Sequence, residues 1–96
     1  MNGWLKMSAY QLEIPKAVRR QVDNLPGIYR QRFRRLIQSL ASNPRPAGAK
    51  LLRTDENRYR IRVDDYRLVY RIFDDMLIVE VIKVGQKEGP EFYEDV

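Results

Sequence analysis

The sequence predicts an α+β fold: an N-terminal strand, a two-helix hairpin, then a three-stranded antiparallel meander in one small domain. Three observations carry that expectation. Apolar residues recur at helical spacing between Pro15 and Ser42, and strict alternation takes over between Arg58 and Phe73. Two acidic clusters, Asp64-Asp65 and Asp74-Asp75, then punctuate the alternating half as turns do. Two amphipathic helices with an alternating sheet bury their apolar sides together when both helices cover one sheet face.

Tyr10, Leu12 and Ile14 alternate as on a strand. Pro15 stands where a first helical residue often stands, and Val18, Val22 and Leu25 follow on one helical face until Pro26-Gly27 ends the turn sequence. A second helix is expected from Ile28 to Ser42. Its stripe of Tyr29, Phe33, Leu36, Ile37 and Leu40 reads as core, and Arg30, Arg32, Arg34 and Arg35 lie opposite. Asn43-Pro-Arg-Pro-Ala-Gly48 breaks it. The meander strands are expected at Arg58–Val63, Tyr66–Phe73 and Leu77–Val84. Residues 9–96 form the expected domain, after a short extension of residues 1–8 in which Met7 competes with Met1 as the start.

Composition narrows the chemistry. Among the 96 residues there is no histidine and no cysteine, which removes zinc sites of the usual kind, thiol nucleophiles and Ser-His-Asp triads. Carboxylates, Lys, Arg, Tyr and Ser remain. No apolar run approaches the roughly 20 residues of a membrane span, so the expectation is a cytoplasmic protein with no membrane partner. The Asp pairs in the turns point apart, and no metal is expected there. The net charge is +5, and arginine dominates the 18 cations. A guanidinium matches phosphate bidentately, which favours a polyanionic partner over mere solubility.

The first meander strand places Arg58, Arg60 and Arg62 on one face and Tyr59, Ile61 and Val63 on the other. A two-residue turn at Asp64-Asp65 sets Arg62 against Arg67 and Arg58 against Arg71. Opposed like charges destabilise a strand pair. A fold tolerates them where an anion sits, or where the face is simply solvated. Beyond Gly85 a tail carries Lys87 and Tyr93, a weak signal alone.

Lys50-Leu-Leu-Arg53, Arg58-Tyr-Arg-Ile-Arg-Val63, Tyr66-Arg-Leu-Val-Tyr-Arg-Ile72, Val81-Ile-Lys-Val-Gly-Gln-Lys87 and Glu91-Phe-Tyr93 together resemble the RelE/ParE toxins of bacterial type II toxin–antitoxin systems. The resemblance runs from Ala9 to Val96 and leans to the RelE branch. It implies a metal-independent, cofactor-free endoribonuclease that cuts mRNA on the ribosome and is neutralised by a cognate antitoxin. The alternative it leaves is a ParE-like toxin that poisons DNA gyrase without catalysis. A plain nucleic-acid-binding module is a third reading.

The resemblance implies catalytic roles for Arg67, Lys87, Tyr93, Arg60 and Arg62. Arg67 would stabilise the phosphorane, Lys87 would donate a proton or neutralise charge, and Tyr93 would act as base or stacking surface. Arg60 and Arg62 would hold phosphates or help the base. A further RNA-binding set is Arg53, Arg58, Arg71, Arg30 and Arg34. The sequence departs from the family at Lys87, where arginine is frequent, at Gln86, where many relatives are basic, and at Gly89-Pro90.

Overall fold

The structure, a computed structural model, describes residues 9–53 and 56–93, without the Arg53 side chain. The expected extension and the Met7 start lie outside the described residues. The order is β1 (Gln11–Glu13), α1 (Lys16–Asp23), α2 (Gly27–Ser39), β2 (Lys50–Arg53), β3 (Arg58–Val63), β4 (Tyr66–Phe73), β5 (Ile78–Gln86) and a 3₁₀ turn (Pro90–Tyr93).

Both prolines precede their helices instead of opening them. Pro15 has ψ 154° and Pro26 has ψ 146°, extended values that send the chain into α1 and α2 one residue later. Pro26 therefore separates two helices with almost no loop between them. α2 stops at Ser39, short of the expected Ser42, because the Leu40, Ala41 and Ser42 amides bond to carbonyls only three residues back.

The sheet has five strands in the order β1-β5-β4-β3-β2. The meander β3-β4-β5 is antiparallel as expected, but it is not the whole sheet. β2 adds an antiparallel edge against β3, and β1 joins the other edge parallel to β5. The sheet is thus mixed. Leu51-Leu52 interrupts any alternation in β2, which is why that strand is silent in the sequence. The β3–β4 register pairs Arg58 with Arg71, Arg60 with Val69, Ile61 with Leu68, Arg62 with Arg67 and Val63 with Tyr66, pair for pair as a two-residue turn requires. Asp64, first in that turn, takes φ 55°, a left-handed conformation that aspartate tolerates better than most residues.

One face of the sheet carries the core. Phe33 of α2, Leu40 just after it, and Leu68 and Tyr70 from β4 are all fully buried there, packed with Val18 and Val22 of α1. Truncating such a side chain to alanine costs about 2–5 kcal/mol. At the end of this face furthest from Asp64, Arg45 donates twice to the Asp74 carboxylate at 3.1 and 2.8 Å and once to the Tyr59 hydroxyl at 2.9 Å. Tyr10 donates to the same carboxylate at 2.7 Å. These bonds tie β1 and the loop after α2 to the β4–β5 turn.

β5 keeps its apolar side inward by a bulge. Val69 pairs with Lys83, yet Tyr70 pairs with Val81, so Ile82 is an extra residue. The bulge lets Val79, Val81 and Val84 all enter the core while Ile82 and Lys83 turn to the opposite face. A second, smaller cluster forms there from Val69 and Phe92, with Leu52, Ile82 and Tyr93 packed against it.

Candidate active site

The face turned away from the helices is built in cross-strand rows. Nearest the Asp64-Asp65 turn, Arg62, Arg67 and Gly85 lie side by side on β3, β4 and β5. The next row runs Lys50, Arg60, Val69 and Lys83. The furthest runs Arg58, Arg71 and Glu80. Period-two geometry alone puts all five meander arginines on one side. Lys50 and Lys83 extend the patch beyond what the meander arginines provide.

Arg67 is held at the turn. One terminal nitrogen donates to the Asp64 carbonyl at 2.9 Å and to the Tyr66 carbonyl at 3.1 Å. Its other N–H groups make no hydrogen bond among the described residues, so the fork is oriented yet still able to donate. Arg60 and Arg62 make no ion pair or hydrogen bond among the described residues. On the helix side, the Asp64 carboxylate accepts from the Tyr29 hydroxyl at 2.7 Å and lies 3.5 Å from Arg32. That acceptor keeps the Tyr29 phenol protonated to higher pH than usual. The turn is therefore pinned from both faces of the sheet.

The tail returns to the same turn. The Lys87 amide donates to the Asp65 carbonyl at 2.8 Å, which stations Lys87 beside the Arg62–Arg67 row. Phe92 is buried against Val69; a Cβ on Gly85 would lie 3.4 Å from its ring, so Gly85 leaves the ring lying on backbone. Tyr93 meets Phe92 edge to face at 5.2 Å between centroids, and the Lys87 ammonium is 6.0 Å from the Tyr93 ring centre. A half-buried phenol, a lysine and an oriented arginine thus gather at one end of a cationic sheet face.

Residues 12–89 match the family profile of the ParE toxin of type II toxin–antitoxin systems. The mRNA interferase toxin RelE of Escherichia coli K12 is 28% identical over 88 residues, covering 91% of this chain and 93% of that protein. A variant of the E. coli toxin RelE in the free state superposes with a TM-score of 0.73 at 30% identity, over 90% of this chain and 92% of that one. The intact E. coli RelBE toxin–antitoxin complex gives 0.70 at 29% identity, over 84% and 100%. This chain belongs to the RelE/ParE toxin family. Within it the chain is a RelE-type toxin; its relatives do not favour the gyrase-poisoning alternative.

For a RelE-type toxin, the cationic face is divided. At the far end, Arg58 Nε is buried 2.8 Å from Glu56 Oε1, an ion pair without hydrogen-bond alignment. Arg71 donates to the Glu56 carbonyl at 3.1 Å and stacks over Phe73 at 4.4 Å. Both expected RNA-binding arginines are thus already engaged within the protein. Arg30 and Arg34 are not brought to this face at all. They reach Asp23 of α1, Arg30 at its carbonyl and Arg34 at its carboxylate, because α2 packs on the other side of the sheet. The Arg53 side chain lies outside the described residues. What the sequence reading missed is the floor under the tail: Val69, Ile82, Lys83 and Phe92. Only the Phe92-Tyr93 pair could have given a signal, since an apolar ring next to a candidate phenol suggests an anchor.

Proposed function

We propose that this toxin cuts messenger RNA on the ribosome by attack of a ribose 2′-OH on the adjacent phosphate. The P–O5′ bond breaks, leaving a 2′,3′-cyclic phosphate and a 5′-OH, with one proton taken from the nucleophile and one delivered to the leaving oxygen. Such a reaction needs cations where the phosphorane develops charge and groups that move two protons.

Arg67 faces the phosphorane, held at the turn by two carbonyls, and Arg62 stands opposite it. Arg60 supports the neighbouring phosphate. Lys87 protonates or neutralises the leaving oxygen. Tyr93 serves the 2′-OH as base, or stacks the flanking base. The observation that carries the reading is the meeting of Arg62, Arg67, Lys87 and the tail at the Asp64-Asp65 turn. The E. coli RelE relative is named an mRNA interferase, which supports the substrate. Its structure with an antitoxin supports a cognate antitoxin as this chain's own regulator. The ribosome would supply the orientation of the message, and the site of action would be the cytoplasm.

The test is incubation with translating ribosomes and an end-labelled message. Discrete cuts at the decoding site, ending in cyclic phosphate and lost in Arg67→Ala, are the expected result. An uncut message beside a fully folded toxin would overturn the reading. Tyr93→Phe separates the two roles of the phenol: a base is lost with the hydroxyl, whereas a stacking surface survives.

A further inference from the structure

Lys83 lies on the open face directly beneath the tail, next to the extra residue of the β5 bulge. Its ammonium donates to the Phe92 carbonyl at 2.7 Å and sits 4.2 Å from the centre of the Phe92 ring. Two contacts from one cation to one residue is more than packing requires, because Phe92 is already buried on Val69 and Gly85. The carbonyl is the informative partner. A peptide unit is planar, so the Phe92 oxygen, its carbon and the Tyr93 Cα move as one rigid body. Fixing that oxygen with a charge-assisted bond fixes the origin of the Tyr93 side chain. The ring contact adds a second point of attachment on the other side of the Phe92 Cα.

The apolar floor beside Lys83 depends on the bulge. In a regular strand, alternation from Val84 puts Ile82 in the core and moves Val79 and Val81 out of it. The extra residue restores the apolar side of β5 and leaves Lys83 and Ile82 as neighbours on the catalytic face. Lys83 pairs across β4 with Val69, the very residue on which Phe92 rests. The cation, the apolar floor and the tail are therefore stacked at one point, one row away from Arg62 and Arg67.

We propose that Lys83 is a positioning residue: it clamps the Phe92 peptide and ring so that Tyr93 stands at a fixed place above the Arg67 row. The inference rests on the nuclease reading for its kinetic arm and stands apart from it for its structural arm. Lys83→Met keeps the aliphatic stem and removes the charge; Lys83→Arg keeps a donor.

Lys83→Met lowers kcat for ribosomal message cleavage by about tenfold to a hundredfold, the scale of a roughly 1 Å misplacement. KM changes less than about twofold, since the RNA-holding arginines are untouched, and Lys83→Arg recovers most of the rate. In a Tyr93→Ala background the same Lys83→Met change has no further effect, because Lys83 acts through the phenol. By NMR, the Tyr93 ring signals of Lys83→Met lose the shift imposed by the edge-on Phe92 ring. An equal loss of rate in both backgrounds, or a raised KM with unchanged kcat, would mean that Lys83 contacts RNA itself and would overturn the proposal. Unmoved Tyr93 signals in a folded Lys83→Met protein would overturn it too. Should the wild type cut no message, the nuclease reading fails alone, and the ring signals still decide the clamp.

Discussion

The two ends of the cationic face carry the same opposed pairs, Arg58 with Arg71 and Arg62 with Arg67, and handle them in opposite ways. At the far end Glu56 supplies a carboxylate to Arg58 and a carbonyl to Arg71, and Phe73 takes the Arg71 guanidinium on its ring. At the turn end, among the described residues, no carboxylate bonds to Arg67, which donates to backbone carbonyls. Asp64 directs its carboxylate to α2 on the far side of the sheet. Among the described residues, charge repulsion of equal origin is thus relieved at one end and left standing at the other. A cation cluster without its counterions is a place prepared for a bound anion.

The contrast is broken most sharply by removing Arg67. Arg67→Ala is expected to lower kcat on ribosome-bound message by about a hundredfold to a thousandfold with little change in melting temperature; a comparable loss of stability would place Arg67 among the structural cations. Arg60→Ala sharpens the difference further. It should weaken RNA binding and flatten the dependence of log K on log salt by about 0.7, one single-strand phosphate contact, and an unchanged slope would remove Arg60 from the RNA path.

The far end should answer in stability instead. Arg58, with its side chain 21% exposed beside Glu56, is expected to cost about 1–2 kcal/mol when replaced by alanine, between exposed and buried pairs. Cleavage by the folded fraction should hold within about threefold. Denaturant unfolding and single-turnover cleavage of the same preparation check both halves.

The smallest effect concerns pH at the opposite side of that end. Arg45 first, and then Tyr10, hold the Asp74 carboxyl below its ordinary value of 3.8. A depressed folded-state pKa gives stability that is present above the unfolded value and is lost as pH falls through the folded one. Asp74→Asn should therefore melt below wild type at neutral pH, and the gap should close under pH ~4. A gap that stays constant to pH ~2 would show that charge at Asp74 is irrelevant.

The register of the β3–β4 hairpin was legible to the residue. Alternation fixes which side chains share a face, and a two-residue turn fixes which ones meet. The helical stripes were equally plain, and Phe33, Ile37 and Leu40 are core as their spacing implies. Three things escaped, each for a physical reason. β2 is a short edge strand whose Leu51-Leu52 pair does not alternate. The Ile82 bulge is a property of two paired strands, and β5 read alone cannot show it. Arg30 and Arg34 share composition with the meander arginines but not a face, since charge along the chain says nothing about which side of a sheet a helix covers. The candidate site was therefore half visible: Arg60, Arg62 and Arg67 by geometry, Lys87 and Tyr93 by a weak signal that the resemblance strengthened, and the floor beneath Tyr93 not at all.

The parallel seat of β1 against β5 has a consequence for how this toxin comes into being. Gln11 pairs with Ile78 and Glu13 with Glu80, so the first strand of the fold has no partner until the last has been synthesised. Its hydrogen bond to the earlier half of the chain is that of the Tyr10 amide on the Ala41 carbonyl. An early fragment lacks the centre of its own sheet, and closure waits on a distant pairing of the kind that slows folding. The sheet stays open at that edge until the segment bearing Lys83 arrives to complete it.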